Sequence, residues 1–273
     1  MTTLPTMVLA DRGVPRLWLV VATLVGGTLA AGGANALNMV YDRDIDAVME
    51  RTKNRPLVTG VMTPTAAAVF ALGLEALSFI VLATFVNDLS AWLALSATAF
   101  YVLVYTVWLK RRSRQNIVIG GAAGAVPVLI GWSAVTNNLS WTPVLLFAVI
   151  FIWTPPHFWA LAVRYRDDYA AAHVPMMPVV ASLRHTTLEI LIYSVVLWMV
   201  SMWIGPVAHL GWIYAISATV LGGLFTFYSL RLYLHAREDK ADVAEAMRLF
   251  HFSITYLTAL FESMAVDVLV RSH

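Results

Sequence analysis

Long apolar runs broken by short polar stretches repeat eight times along this chain. The runs are Leu17–Tyr41, Thr65–Val86, Leu89–Leu109, Ile117–Thr136, Pro143–Val163, Thr186–Ile204, Leu210–Tyr233 and Met247–Val270. Each matches the roughly 20 residues that a helix needs to cross a bilayer. The pattern predicts an all-α fold: a polytopic transmembrane helical bundle. Ahead of the first run, Thr2–Ala10 is apolar but too short to cross. It is expected to be the remnant of another helix or an interfacial start.

Composition agrees with that reading. Apolar residues make up 60% of the 273 residues and charged residues 12%, against about 25% charged in soluble domains. Mean hydropathy is +0.74. Cysteine is absent, which excludes disulfides, thiolate metal sites and a cysteine nucleophile. Met1–Ala10 lacks the basic stretch and small-residue cleavage site of a secretory signal.

Charge placement orients the stack. The odd-numbered spans are followed by Arg43, Arg51, Lys53 and Arg55; by Lys110, Arg111, Arg112 and Arg114; by Arg164, Arg166 and Arg184; and by Arg237 and Lys240, with Arg231 and Arg248 at the flanks. Only Arg12, Arg16 and Arg271 fall on the other side, so the ratio is fifteen to three. Positive charge is favoured inside, and the chemistry-bearing loops are therefore expected to face the cytoplasm. The opposite connections, Asn87-Asp88, Asn137–Trp141 and Gly205–His209, have no room for a site. Glycines 26, 27, 32, 33, 120, 121 and 124 are expected to serve helix packing. Some of the ten Trp and ten Tyr belong to interfacial belts, and others are free to line a pocket for an aromatic or isoprenoid ligand.

Between the first two runs, acids and bases arrive together. If the helix continues, Asn38, Asp42 and Asp46 recur every four residues and drift only about 40° per step, so they share one face. Asp44 points elsewhere. Two carboxylates with an amide oxygen one turn away form a hard-oxygen set that suits Mg²⁺, which takes one or two carboxylates plus substrate phosphates. Arg51, Lys53 and Arg55 just downstream suit phosphates. The plainer alternative is an interfacial loop whose acids and bases pair with each other.

A second cluster follows the fifth span. Asp167 and Asp168 sit among Arg164, Arg166, Tyr169 and His173. Two acidic clusters four spans apart hint at an internal duplication, with the clusters facing one another across a central cavity open to the cytoplasmic side. His157 lies after a Pro-Pro break in an apolar run, where a histidine is more often a hydrogen-bonded core group than a ligand.

These segments carry a resemblance. Asn38-xxx-Asp42-xxx-Asp46 resembles the first aspartate motif of the UbiA-type intramembrane prenyltransferases. More narrowly, four stretches are similar to the protohaem IX farnesyltransferase (haem O synthase) branch. They are Asn35-Ala-Leu-Asn-Met-Val-Tyr-Asp-Arg-Asp-Ile-Asp46 with Arg51-Thr-Lys-Asn-Arg-Pro-Leu57; Tyr105-Thr-Val-Trp-Leu-Lys-Arg111 with Asn116-Ile-Val-Ile-Gly-Gly-Ala-Ala-Gly-Ala-Val-Pro127; Pro156-His-Phe-Trp-Ala-Leu-Ala162; and Asp168-Tyr-Ala-Ala-Ala-His-Val-Pro-Met-Met-Pro178.

The resemblance implies a single prenyltransferase domain over residues 1–273, in a bacterial inner membrane. It implies transfer of the farnesyl group of farnesyl diphosphate to a vinyl group of haem b, giving haem O and diphosphate. Mg²⁺ would be the cofactor, held by Asn38, Asp42, Asp46 and Asp168, with the three aspartates catalytic. Arg51, Lys53, Arg55 and Lys110 would take the diphosphate, and His157 the haem. Partners would be farnesyl diphosphate, haem b, membrane lipid and a downstream haem A synthase or terminal oxidase, with no nucleic acid. Three departures accompany it. Asp167 and Asp168 are adjacent where the superfamily spaces them, His173 stands where the branch often has Gly, and nine spans are expected in the family against eight here. That last difference leads to the expectation that a first helix is missing ahead of Thr2–Ala10.

Two other readings stay open from the residues. One keeps the fold and changes the acceptor to an aromatic quinone or chlorophyll precursor. The other is a transporter, which would place ionisable groups near mid-span, where Glu75 is the main charge.

Overall fold

The computed structural model describes residues 1–238 and 241–271. Lys240, counted above among the basic loop residues, lies outside the described residues. Every regular element among those described is helical. The order is α1 Thr3–Asp11, α2 Leu17–Tyr41, α3 Arg43–Val48, α4 Pro64–Phe85, α5 Asp88–Ala99 continuing as a π-helix over Phe100–Leu109, and α6 Asn116–Thr136. Then come α7 Trp141–Arg164, α8 Arg166–Ala171, α9 Met177–Val180, α10 Leu183–Val207, α11 Trp212–Arg237 and α12 Val243–Arg271.

Eight of these helices are long and apolar enough to cross a membrane, and they coincide with the eight apolar runs. The chain is a multi-pass integral membrane protein. Its boundaries have local causes. Thr63 Oγ1 accepts from Ala66 N at 3.2 Å ahead of Pro64 at the first helical position. Asn87 Oδ1 accepts from Ser90 N at 2.8 Å. Ser182 Oγ accepts from His185 N at 3.2 Å, so α10 begins three residues before the predicted Thr186. At α11 the cap comes from another helix: the buried Asp267 carboxylate accepts from Gly211 N at 2.6 Å and Tyr214 N at 3.3 Å.

Two four-helix groups make up the bundle. In the first, α2, α4, α5 and α6 pack on one another; in the second, α7, α10, α11 and α12 do, and α6 against α7 joins the groups. Lipid is as apolar as the helices, so association rests on close packing and interhelical polar contacts. Ser78 Oγ donates to Gly26 O at 2.7 Å, and hydroxyl pairs Ser90–Ser133 (2.8 Å), Ser194–Ser229 (2.8 Å) and Ser201–Tyr256 (2.6 Å) tie neighbouring spans. Each such bond contributes about 0.6 kcal/mol in a membrane.

The glycines divide. A Cβ on Gly33 would lie 2.5 Å from Glu75 Oε1, and one on Gly120 would lie 2.3 Å from Tyr105 Cδ2. Gly26 and Gly121 are equally crowded, whereas Gly27 and Gly124 have nothing within 4 Å, so packing explains only part of the set. Glu75 is buried and accepts from Thr98 Oγ1 at 3.2 Å.

Element α1 is part of the packed bundle: Pro5 through Leu9 are buried and the helix packs on α6 and α12. Its Thr3 carbonyl sits where Gly131 lacks a side chain, 2.7 Å from the position a Cβ would take. Trp18, Trp92, Trp141, Trp203 and Trp212 are exposed at one end of the bundle, as an interfacial belt requires. Trp159, by contrast, is fully buried.

Candidate active site

The polar stretch after α2 folds as its spacing predicts. Asp42 N bonds Asn38 O at 2.8 Å and Asp46 N bonds Asp42 O at 2.8 Å, so the helical register runs through the bend at Asp42. Asn38, Asp42 and Asp46 therefore share one face, and they are 6%, 0% and 3% exposed. Burying carboxylates in an apolar bundle is costly unless cations and donors meet them. Here they do. Asp42 accepts from Asn38 Nδ2 at 2.7 Å, from Lys110 Nζ, and from Arg111 Nη2 at 3.4 Å. Asp46 accepts from Arg55 Nη1 at 2.6 Å. The pairing alternative and the shared-face reading thus describe the same residues.

Asp44 does point away. It is 60% exposed and meets Arg111 in a bidentate pair, both bonds at 2.7 Å. The guanidinium holds its carboxyl down at about 2, and the same contact raises Arg111. Arg111 also lies over the Tyr41 ring at 5.0 Å.

The proposed phosphate ligands separate into three environments. Lys110 and Arg55 sit on the buried carboxylates, as just described. Arg51 faces Tyr169, whose phenol is pushed up by burial and partly brought back by the Arg51 charge. Lys53 turns outward instead, pairing with exposed Glu50 at 2.6 Å. The charge of Arg51 thus acts on the second acidic motif from the first. Beneath it, Ile45 and Met49 pack with Tyr169, Val174 and Met176 in one apolar cluster. Asp168 begins at the same surface half-buried, and its carboxylate has no hydrogen bond or ion pair among the described residues. His173, at φ 53°, takes up the left-handed conformation in which the branch often uses Gly.

His157 lies apart from this group, between α7 and α12. Its ring stacks on Trp153 at 4.2 Å and Phe250 at 4.6 Å, and Phe158 approaches edge-on at 5.1 Å. Nδ1 is 2.6 Å from Ser253 Oγ. Ser253 uses its one proton on Phe250 O at 2.6 Å, so Oγ must accept and Nδ1 must carry the proton. Nε2 is then the nitrogen with a free lone pair.

Sequence reasoning missed Thr106, Tyr101, Tyr105 and the depth of Arg111. The cause is the π-helical run Phe100–Leu109, where Lys110 N reaches Tyr105 O at 2.8 Å across five residues. Widened turns of this kind gather at functional sites. They put Lys110, Tyr105 and Tyr101 on the side facing Asp42, a juxtaposition that an α-helical period hides. Tyr101 and Tyr105 stack at 5.4 Å.

No group of three or more His, Asp or Glu that would hold a metal unaided occurs among the described residues. The donor set is one amide and two buried carboxylates. That is the protein's usual share of a Mg²⁺ site completed by phosphate and water, so the residues fit Mg²⁺ arriving with a diphosphate.

Residues 1–254 match the UbiA prenyltransferase family. A protohaem IX farnesyltransferase of Frankia alni is 55% identical over 98% of this chain and 92% of its own length. One from Streptomyces coelicolor is 52% identical over 99% of this chain and 86% of its own. Among solved structures, digeranylgeranylglyceryl phosphate synthase superposes with a TM-score of 0.80 at 15% identity, over 98% of this chain and 92% of that one. A UbiA homologue from Archaeoglobus fulgidus bound to GPP and Mg²⁺ gives 0.67 at 19%, over 96% of this chain and 94% of that one. These structures share the helical fold. The chain belongs to the UbiA prenyltransferase family.

Proposed function

We propose that this chain transfers the farnesyl group of farnesyl diphosphate to a vinyl group of haem b, as a single domain spanning residues 1–273. The observation that carries the reading is the buried face of Asn38, Asp42 and Asp46, already met by Lys110 and Arg55. The relatives named protohaem IX farnesyltransferase supply the acceptor.

In this reading the C1–O bond of the farnesyl diphosphate breaks and diphosphate leaves. C1 bonds to the terminal vinyl carbon, water adds its oxygen to the inner vinyl carbon, and a proton is released. The product is haem O. Mg²⁺, when bound, supplies Lewis-acid stabilisation of the charge growing on the leaving group. Asn38, Asp42, Asp46 and Asp168 would hold it, and Lys110, Arg55 and Arg51 would meet phosphate oxygens. Lys53 takes part only by releasing Glu50. Fixed cations in an apolar surround act strongly on such charge because little water screens them. The spans shield the allylic cation from water on its other sides.

His157 would face the haem through Nε2, its ring held by Ser253 and by the Trp153 and Phe250 faces. The fifteen-to-three charge asymmetry supports a cytoplasmic site in a bacterial inner membrane, with haem and the prenyl chain entering from lipid. A haem A synthase or terminal oxidase would take the product.

The test is direct. The purified chain, given farnesyl diphosphate and Mg²⁺, should convert haem b to a farnesylated, hydrated product and leave a hydroxybenzoate acceptor untouched. Prenylated hydroxybenzoate without any haem product would overturn the assignment. Removal of Mg²⁺ by a chelator should stop the reaction, and restoring it should bring the reaction back.

A further inference from the structure

We infer that Thr106 is a positioning residue that fixes the amide of Asn38 so that its oxygen, and not its nitrogen, faces the metal. The inference rests on the metal-ligand reading of Asn38 proposed above. An asparagine serves a cation only through Oδ1, and its two ends are nearly the same shape. Something must therefore hold the amide one way round.

The donors settle which way. Asn38 Nδ2 bonds Asp42 Oδ2 at 2.7 Å and Thr106 Oγ1 at 3.1 Å. Both amide hydrogens are thereby used. Oδ1 accepts no hydrogen bond among the described residues, so it is the free end. Thr106 is committed to accepting, because its single proton goes to the carbonyl of Tyr101 at 3.0 Å. A carbonyl only accepts, which leaves the threonine oxygen nothing to offer Asn38 but a lone pair.

The π-helix makes this possible. In an α-helix a threonine hydroxyl bonds back to the carbonyl three or four residues earlier. Here it reaches back five, from Thr106 to Tyr101, inside the run Phe100–Leu109. Thr106 is fully buried, so no water competes for either bond.

Asp42 also touches Nδ2, but it belongs to the proposed ligand set and would be drawn toward the cation. Thr106 lies outside that set. It is the anchor that stays on the nitrogen when Asp42 turns to the metal. Outer partners of this kind are typically worth about 10–100-fold in metal affinity.

The experiment uses the full chain in detergent with Mn²⁺ as a spectroscopic probe and inorganic pyrophosphate as co-ligand. Free Mn²⁺ is followed by its electron paramagnetic resonance signal. Thr106→Val should weaken Mn²⁺ binding by about tenfold or more, while Thr106→Ser, which keeps the hydroxyl, should stay within about twofold of the parent. Thr106→Ala removes the hydroxyl without crowding the site and should repeat the valine result. In an Asn38→Ala background, Thr106→Val should change nothing further, since the amide it orients is gone. Equal loss in both backgrounds, or a serine variant as weak as valine, would show mere packing and overturn the inference. Parental Mn²⁺ affinity in Asn38→Ala alone would instead remove the ligand reading, and this inference with it.

Discussion

The two acidic motifs look alike in sequence and differ in structure. Each follows an apolar span and mixes acids with bases, four spans apart. Yet Asp42 and Asp46 are buried and already held by Lys110 and Arg55. Asp167 is exposed, Asp168 is half-buried, and neither carboxylate has a partner among the described residues. Both motifs lie where a long span passes through one bend residue into a six-residue helix, α2 into α3 at Asp42 and α7 into α8 at Tyr165, so the difference lies in the partners and not in the helices. The apolar cluster of Ile45 and Met49 with Tyr169, Val174 and Met176 connects the two, with Arg51 facing Tyr169. The lesson is that the carboxylates of one half are already held by cations, while in the proposed function the other half supplies a carboxylate that would take its partner from the ligand.

The largest effect tests the half whose carboxylates are held. Asp42→Ala and Asp46→Ala should each lower haem O formation by at least about a hundredfold, the scale on which charge-stabilising groups act. Each also leaves a cation behind in a poorly solvated place, so thermal stability should fall. Removing one partner of a fully buried pair costs about 3–5 kcal/mol, and the partial exposure of Lys110 and Arg55 keeps the loss at or below the low end. Turnover by the purified variants checks the first expectation, and detergent melting curves the second. Wild-type turnover in both variants would end the metal-site reading.

Next comes His157, on the aromatic side of the second half. His157→Ala should shift the Soret band of bound haem and weaken haem binding, with the KM for farnesyl diphosphate near that of the parent. His157→Gln, which retains a hydrogen-bonding end toward Ser253, should keep the fold and still change the spectrum. An unchanged spectrum beside impaired diphosphate binding would move His157 to the prenyl side.

How much of this was legible follows the same division. Hydropathy alone located all eight spans, because a crossing helix must be apolar over its full length whatever its neighbours. The shared face of Asn38, Asp42 and Asp46 was legible because the helical bonds at Asp42 continue through the bend. The role of Lys110 came only through resemblance. Its reach to Asp42 depends on the π-helical run, and nothing in the hydropathy of Phe100–Leu109 marks a widened turn. Arg51 and Lys53, two residues apart, read alike, yet one meets Tyr169 and the other Glu50. Short-range spacing does not say which neighbour a distant loop will bring. Likewise α1 was too short to classify until its packing against α6 and α12 was seen.

A smaller effect sharpens the other half. Asp168→Ala should weaken Mn²⁺ binding in the presence of pyrophosphate while leaving the melting temperature unmoved, because it breaks no ion pair. Asp167→Ala, exposed one residue earlier, should do neither. If both variants bind Mn²⁺ as the parent does, the second motif has no metal role and the comparison between the halves loses its functional side.

The smallest effect belongs to Asp44, one turn off the buried face. Its pair with Arg111 is bidentate, but the carboxylate is 60% exposed, so water and salt screen most of the attraction. Asp44→Asn should therefore cost only about 0.5 kcal/mol and lower turnover by no more than roughly threefold. The sign of its pH dependence follows from the depressed carboxyl. Unfolded, an aspartate titrates near 3.9; beside Arg111 it does so at about 2. The folded state thus binds fewer protons, and the contribution is fully present above about pH 4. It is lost as pH falls from about 4 through about 2. Over pH 5–9 the wild type and Asp44→Asn should run parallel in melting temperature, converging only in acid. A difference that grows between pH 5 and 9 would mean that Asp44 is coupled to the buried carboxylates, and the separation of the two faces would be wrong.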